Sequence, residues 1–178
     1  RSAAVSIPLD QYLEGDPGSI PFFPVGTIDI TDLGGDTVRF DLTPIAALKF
    51  DNLGLGLAAS VDKFQLVLTA LTADEMELNT GGWLGFPIVI NFNDKPAHAV
   101  SFQLSGPGLD ISDFFVPPAS KKFPDTVFGL RYWVMSEDDI LDTTAGGNTV
   151  VPEPATSALL ATGLLVAAGC RRFRAGRR

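Results

Sequence analysis

The strongest constraint on this chain is a two-residue rhythm running from about residue 25 to 135. In "TVRFDL" Val38, Phe40 and Leu42 fall on one side, with Thr37, Arg39 and Asp41 on the other. The same spacing groups Phe64, Leu66 and Leu68 in "KFQLVLTAL", Ile88, Ile90 and Phe92 in "PIVINFN", and Val100, Phe102 and Leu104 in "AVSFQLSG". "TVFGLRYWVMS" adds Phe128, Leu130, Tyr132 and Val134. A strand turns successive side chains to opposite faces, so this alternation describes half-buried antiparallel strands. Gly, Pro, Asn and Asp clusters punctuate the runs as turns, and Pro87 stands where a strand can begin. The expectation is an all-β fold of about eight short strands, an antiparallel β-sandwich or jelly roll. Helical spacing is scarce: "ALTADEMEL" and "SEDDILD" are each expected to form no more than a turn or a short helix. "VPPASKKFPD" reads as a surface loop, and the Gly-rich stretch at 143–151 as a flexible linker closing a domain over residues 1–142.

Thirteen Phe in a 178-residue chain that is 46% apolar suffice for one core and an appendage. The net charge of −8 hides a division. Up to Pro152 there are 8 Lys/Arg against 20 Asp/Glu, whereas from Glu153 onward there are 5 Arg against one Glu. The acidic body is repelled by nucleic acid, which excludes that class of partner, while the basic end is drawn to anionic surfaces. The single cysteine, Cys170, lies in that end and makes an intramolecular disulfide impossible. The sequence opens at Arg1 with no apolar leader. A removed export signal, one lying upstream, and a tail-anchored chain without one all fit.

The body offers few groups for chemistry. His98 shares parity with Val100, Phe102 and Leu104, so it is expected to point inward at the start of a strand, as a hydrogen-bonded rim residue rather than a general base. Carboxylates cluster at Asp29, Asp32 and Asp36, and again at Glu137, Asp138, Asp139 and Asp142. Calcium takes six to eight oxygens, and such loops could supply several. Neither stretch has the calcium-loop spacing, and a solvated acidic face is the plainer reading; no other cofactor is expected. A carboxylate pair for glycoside hydrolysis cannot be singled out among twenty acids. Trp83, in the turn-like "TGGWLG", and Trp133, opposite Tyr132, are candidates for stacking on sugar rings. Packing within the fold is the commoner use of a strand tryptophan.

The last thirty residues are unlike the rest. Ala155–Cys170 carries no charge over sixteen residues. As a helix that stretch spans about 24 Å, against about 30 Å of hydrocarbon. Leu159, Leu160, Leu164, Leu165 and Val166 together favour insertion by only about 2–3 kcal/mol. Snorkelling Arg171 and Arg172 and interfacial Phe173 extend the expected helix to about 155–173. Moving Arg171, Arg172, Arg174, Arg177 and Arg178 across the bilayer would cost about 2.5–3.5 kcal/mol each, so the basic end stays cytoplasmic. Gly163 and Ala167 allow another helix to approach closely. Ahead of the helix, Pro152 and Pro154 hold Val151 and Glu153 extended, which suits recognition by a processing enzyme.

This order of "VPEP", small-residue helix and terminal arginines resembles the PEP-CTERM sorting signal, over residues 151–178. The resemblance implies that Pro152, Glu153 and Pro154 are the recognition motif and that the arginines are the cytoplasmic stop. It also implies processing by the membrane transpeptidase exosortase in an exopolysaccharide-producing Gram-negative bacterium. The whole is expected to be an exported surface or matrix protein that is not an enzyme, with polysaccharide as its extracellular partner. A secreted hydrolase with a carboxylate pair and a simple membrane-anchored protein are the alternatives. A glycolipid-anchor signal fits less well, because it ends apolar.

Overall fold

The computed structural model describes residues 4–15, 24–45, 48–118, 126–135 and 140–147. Among them are eleven strands and two short 3-10 turns, with no α-helix. One sheet, A, has five strands: β1 (Ala4–Pro8), β3 (Gly26–Asp32), β4 (Thr37–Pro44), β9 (Val100–Ser105) and β6 (Val67–Ala70), adjacent in that order. The other, B, orders β2 (Gln11–Gly15), β11 (Ile140–Gly147), β10 (Phe128–Met135), β5 (Leu48–Leu55), β8 (Ile88–Phe92) and β7 (Met76–Asn79). Every pairing is antiparallel. The all-β expectation therefore holds as two antiparallel sheets, whose inward faces join in one apolar cluster.

The alternation explains the layers. Val38, Phe40 and Leu42 of β4 are fully buried, as are Phe102 and Leu104 of β9 and Phe128, Leu130 and Tyr132 of β10. Phe40 stacks on Phe102 at 5.0 Å and meets Phe114 edge-on at 4.9 Å. Phe114 belongs to the 3-10 turn Ile111–Phe114, which is fixed by a reciprocal cap between Asp110 and Asp113. Burying each of these rings stabilises the fold by about 1.5–3 kcal/mol.

Several expectations are corrected. Phe64 does not join Leu66 in the core: Lys63–Gln65 is a 3-10 turn, started by the Asp62 carboxylate accepting from the Phe64 amide, and Phe64 is 76% exposed. "ALTADEMEL" is not helical; bends at 71–74 separate β6 from β7. The linker expected at 143–151 is, through Gly147, part of β11, which is paired on both edges, so ordered sheet extends to Gly147. Glycine there answers to packing, since a Cβ at Gly147 would lie 2.8 Å from Ile7 and one at Gly146 2.8 Å from Thr126. β5 hides its rhythm behind a bulge. Leu48 and Phe50 face in, Asp51 and Asn52 both stay outside, and Leu53 and Leu55 resume the inward face.

Gly54 and Gly129 are register partners on β5 and β10, and a Cβ at either would lie 2.6 Å from the ring of Phe86. Phe86 fills the notch that the two glycines leave and is 1% exposed. Gly54→Ala and Gly129→Ala are each expected to destabilise by about 1–3 kcal/mol in chemical denaturation. In a Phe86→Ala background, which empties the notch, the glycine changes should cost much less, a non-additivity of the kind contacting residues show.

Candidate functional site

The outer face of sheet B carries both tryptophans. Trp83 and Phe86 bridge to each other through paired backbone hydrogen bonds of 3.1 and 2.9 Å, closing a tight turn. Positive φ at Gly82, Leu84 and Gly85 makes that turn possible. With Phe86 seated over Gly54 and Gly129, the turn folds back onto the sheet, and the Trp83 ring lies 6.5 Å from Phe86, partly exposed. Trp133 lies four residues beyond Gly129 on β10, about 13 Å further along the same face.

Between them is a polar strip. The bulge turns Asp51 and Asn52 outward, and Asn52 pairs in register with Arg131 on β10 and with Asn91 on β8. Asp51 faces Arg131 Nε at 3.5 Å, Lys95 Nζ at 3.9 Å and Asn52 Nδ2 at 3.3 Å. Lys95, held at φ 48 after β8, also places its ammonium 3.6 Å from the centre of the Trp133 ring. One face of Trp133 is thus covered by a cation, and its indole N–H is buried without a hydrogen-bond partner among the described residues. Amide, guanidinium and carboxylate groups flanked by indole rings can satisfy hydroxyls and cover the apolar faces of sugars.

His98 is not inward. It lies in the bends before β9, 66% exposed, with Nε2 3.0 Å from Oδ1 of Asp74, whose side chain is only 5% exposed. Parity extrapolated back from β9 fails because the strand starts at Val100. It is the rim residue expected, set against a buried carboxylate that sequence spacing could not supply.

The other acids serve backbone and neighbours. Asp32 accepts from the Gly34 amide, Asp62 from Phe64, Asp94 from Glu75 and Asp110 from Ser112. Asp29 projects from the outer side of β3 and Asp36 sits in the following turn at φ 60. Among the described residues, no three His, Cys, Asp or Glu side chains gather as metal ligands. Glu137, Asp138 and Asp139 lie outside the described residues, and Asp142 falls in β11 with only its backbone described.

A groove of about 630 Å³ opens at one end of sheet B, lined by Leu57, Ala59, Val61, Pro87, Val116 and Pro118, with Lys63 at its rim. Lys63 Nζ donates to the Thr80 carbonyl at 2.6 Å and lies 5.3 Å from the Phe64 ring centre. Registers place the end of β11 at this same end of the sheet. Gly147 is opposite Phe128, Phe128 opposite Leu55, and Leu55 opposite Ile88. Gly147 also accepts from Val127, whose own carbonyl accepts from Gly56.

Three residues past Gly147, the chain enters a recognised segment. Residues 150–172 match the family model of the PEP-CTERM protein-sorting motif. No curated protein and no solved structure matches the chain. The chain therefore carries a PEP-CTERM sorting signal, which implies export, membrane association and processing by exosortase. Pro152, Glu153, Pro154, the helix expected at 155–173 and the terminal arginines lie outside the described residues; no helix among the described residues is long and apolar enough to cross a membrane.

On the outer face of sheet A, Arg39 grips Asp41 through Nε at 2.8 Å and Nη2 at 2.7 Å, and the Ser101 hydroxyl donates to the same carboxylate. Burial pushes the Asp41 pKa up, but the Arg39 and Ser101 hydrogen bonds and the Arg39 charge outweigh it and hold the carboxyl below its usual range. A depressed carboxylate contributes stability above its unfolded pKa of about 3.9 and loses it as pH falls through the folded value. Asp41→Asn should therefore destabilise by about 1 kcal/mol at pH 7, the pair being partly exposed. That difference should vanish as denaturation is followed down to about pH 2.

Proposed function

We propose that this is an exported cell-surface or extracellular-matrix protein of an exopolysaccharide-producing Gram-negative bacterium, freed from its membrane tail by exosortase. Its β domain then acts by presenting the outer face of sheet B to polysaccharide, not by turnover. The observation that carries the sorting reading is the motif match at 150–172, which starts three residues beyond the last strand. The binding reading draws on the strip of Asp51, Asn52, Asn91 and Arg131 between the two tryptophans. Its polar groups lie on two adjoining ladders of rigid sheet, which costs little ordering when a chain of sugars is bound. The capping duties of Asp32, Asp62, Asp94 and Asp110 favour structural over catalytic use of the surface acids. Calcium at Glu137, Asp138, Asp139 and Asp142 has no observation in its favour and forms no part of this reading.

Mass spectrometry of the protein recovered from the surface of an exosortase-bearing host should find a C-terminus upstream of Ala155. An intact "RRFRAGRR" end would make the chain a permanently anchored protein instead. In affinity electrophoresis through the host's exopolysaccharide, the wild type should be retarded. Trp83→Ala and Arg131→Ala should each weaken retention about tenfold, the loss of one stacking or charged contact. Release of reducing ends during the run, abolished by changing one Asp or Glu, would establish a hydrolase in place of a binding protein.

A further inference from the structure

The groove and the end of β11 share one end of sheet B, and the residues that follow Gly147 have chemistry that suits the groove. Gly147 stands two to three strand spacings, about 10–15 Å, from the end of β5, which Leu57 follows, and the start of β8, which Pro87 precedes. Val150 to Pro154 follow three to seven residues after Gly147, a reach of about 10–25 Å when extended. The two proline-preceding positions, Val151 and Glu153, are biased to the extended form already. Val150, Val151, Pro152 and Pro154 offer apolar, proline-stiffened surface to a groove walled by Ala59, Val61, Pro87, Val116 and Pro118.

The charges agree as well. Glu153 is the only acid beyond Pro152, and Lys63 stands at the groove rim with one of its three N–H donors committed to Thr80. Asp62, also on the rim, turns its two oxygens to the Phe64 amide and the Gln65 side chain of its own turn, at 3.1 Å each. We propose that the groove is a docking site for this chain's own segment Val150–Pro154, with Lys63 pairing to Glu153. Docking holds the recognition prolines against the folded domain, and an enzyme that takes the segment must first draw it out of the groove. The site thus regulates presentation of the sorting signal, yet its occupancy depends on no enzyme and stands or falls apart from whether processing occurs.

Hydrogen exchange read by mass spectrometry on the full chain in neutral detergent tests this directly. Amides of Val150, Val151 and Glu153 should exchange at least tenfold more slowly in the wild type than in Ala59→Trp, which fills the groove. Glu153→Lys, six residues beyond β11, should lose the same protection. The pair Lys63→Glu with Glu153→Lys should regain it. Equal exchange in wild type, Ala59→Trp and Glu153→Lys overturns the proposal. So does protection of groove amides that arises only when anionic vesicles are added, which would make lipid the occupant.

Discussion

Six of the seven buried phenylalanines among the described residues meet in the shared core, and their contacts decide what else the fold can do. Phe40, Phe102 and Phe114 form one aromatic centre, where a stacked pair from adjacent strands meets an edge-on ring from a capped 3-10 turn. Phe50 and Phe92 make a second pair at 6.1 Å, and Phe128 takes Phe115 edge-on at 6.4 Å. Because Phe40, Phe50, Phe92, Phe102 and Phe128 are inward members of strands, packing them fixes register, and register fixes every outward neighbour. The strip of Asp51, Asn52, Arg131 and Trp133 lies where it does because Phe50, Leu130 and Tyr132 are buried behind it.

That dependence explains what could be read before any coordinates. β4, β8, β9 and β10 were legible because Val38, Phe40, Leu42, Ile88, Ile90, Val100, Phe102 and Leu104 keep an unbroken period of two. β5 was not, since the bulge at Asp51–Asn52 shifts its phase by one residue. Phe64 was misplaced because a run of apolar residues carries no sign of the Asp62 cap that starts a 3-10 turn inside it. The strand at 140–147 was hidden by composition. Glycine signals a linker on average, but here Gly146 and Gly147 are the small residues that Thr126 and Ile7 require. His98 and Asp74 meet through two separate bends, a pairing no local pattern encodes.

The two tryptophans show how far residue type alone carries a site. Both were picked out as isolated aromatic positions, and the fold sets them on one face. Their surroundings differ for reasons of backbone. A glycine pair on neighbouring strands gives Phe86 a seat and so positions Trp83, while a left-handed Lys95 lowers its ammonium onto Trp133. The sorting signal needed no fold to be read, because its motif is a linear order of residues over 150–172.

The placement of β11 has a mechanical consequence. The last strand among the described residues is an interior one, bonded to β10 on one side and β2 on the other, and the sorting motif begins three residues past its end. Hydrogen bonds in such ladders lie across the strand, so a pull along β11 would load both rows in shear. Under such a pull they would rupture together instead of peeling apart, which makes β11 one of the best-secured threads in the weave.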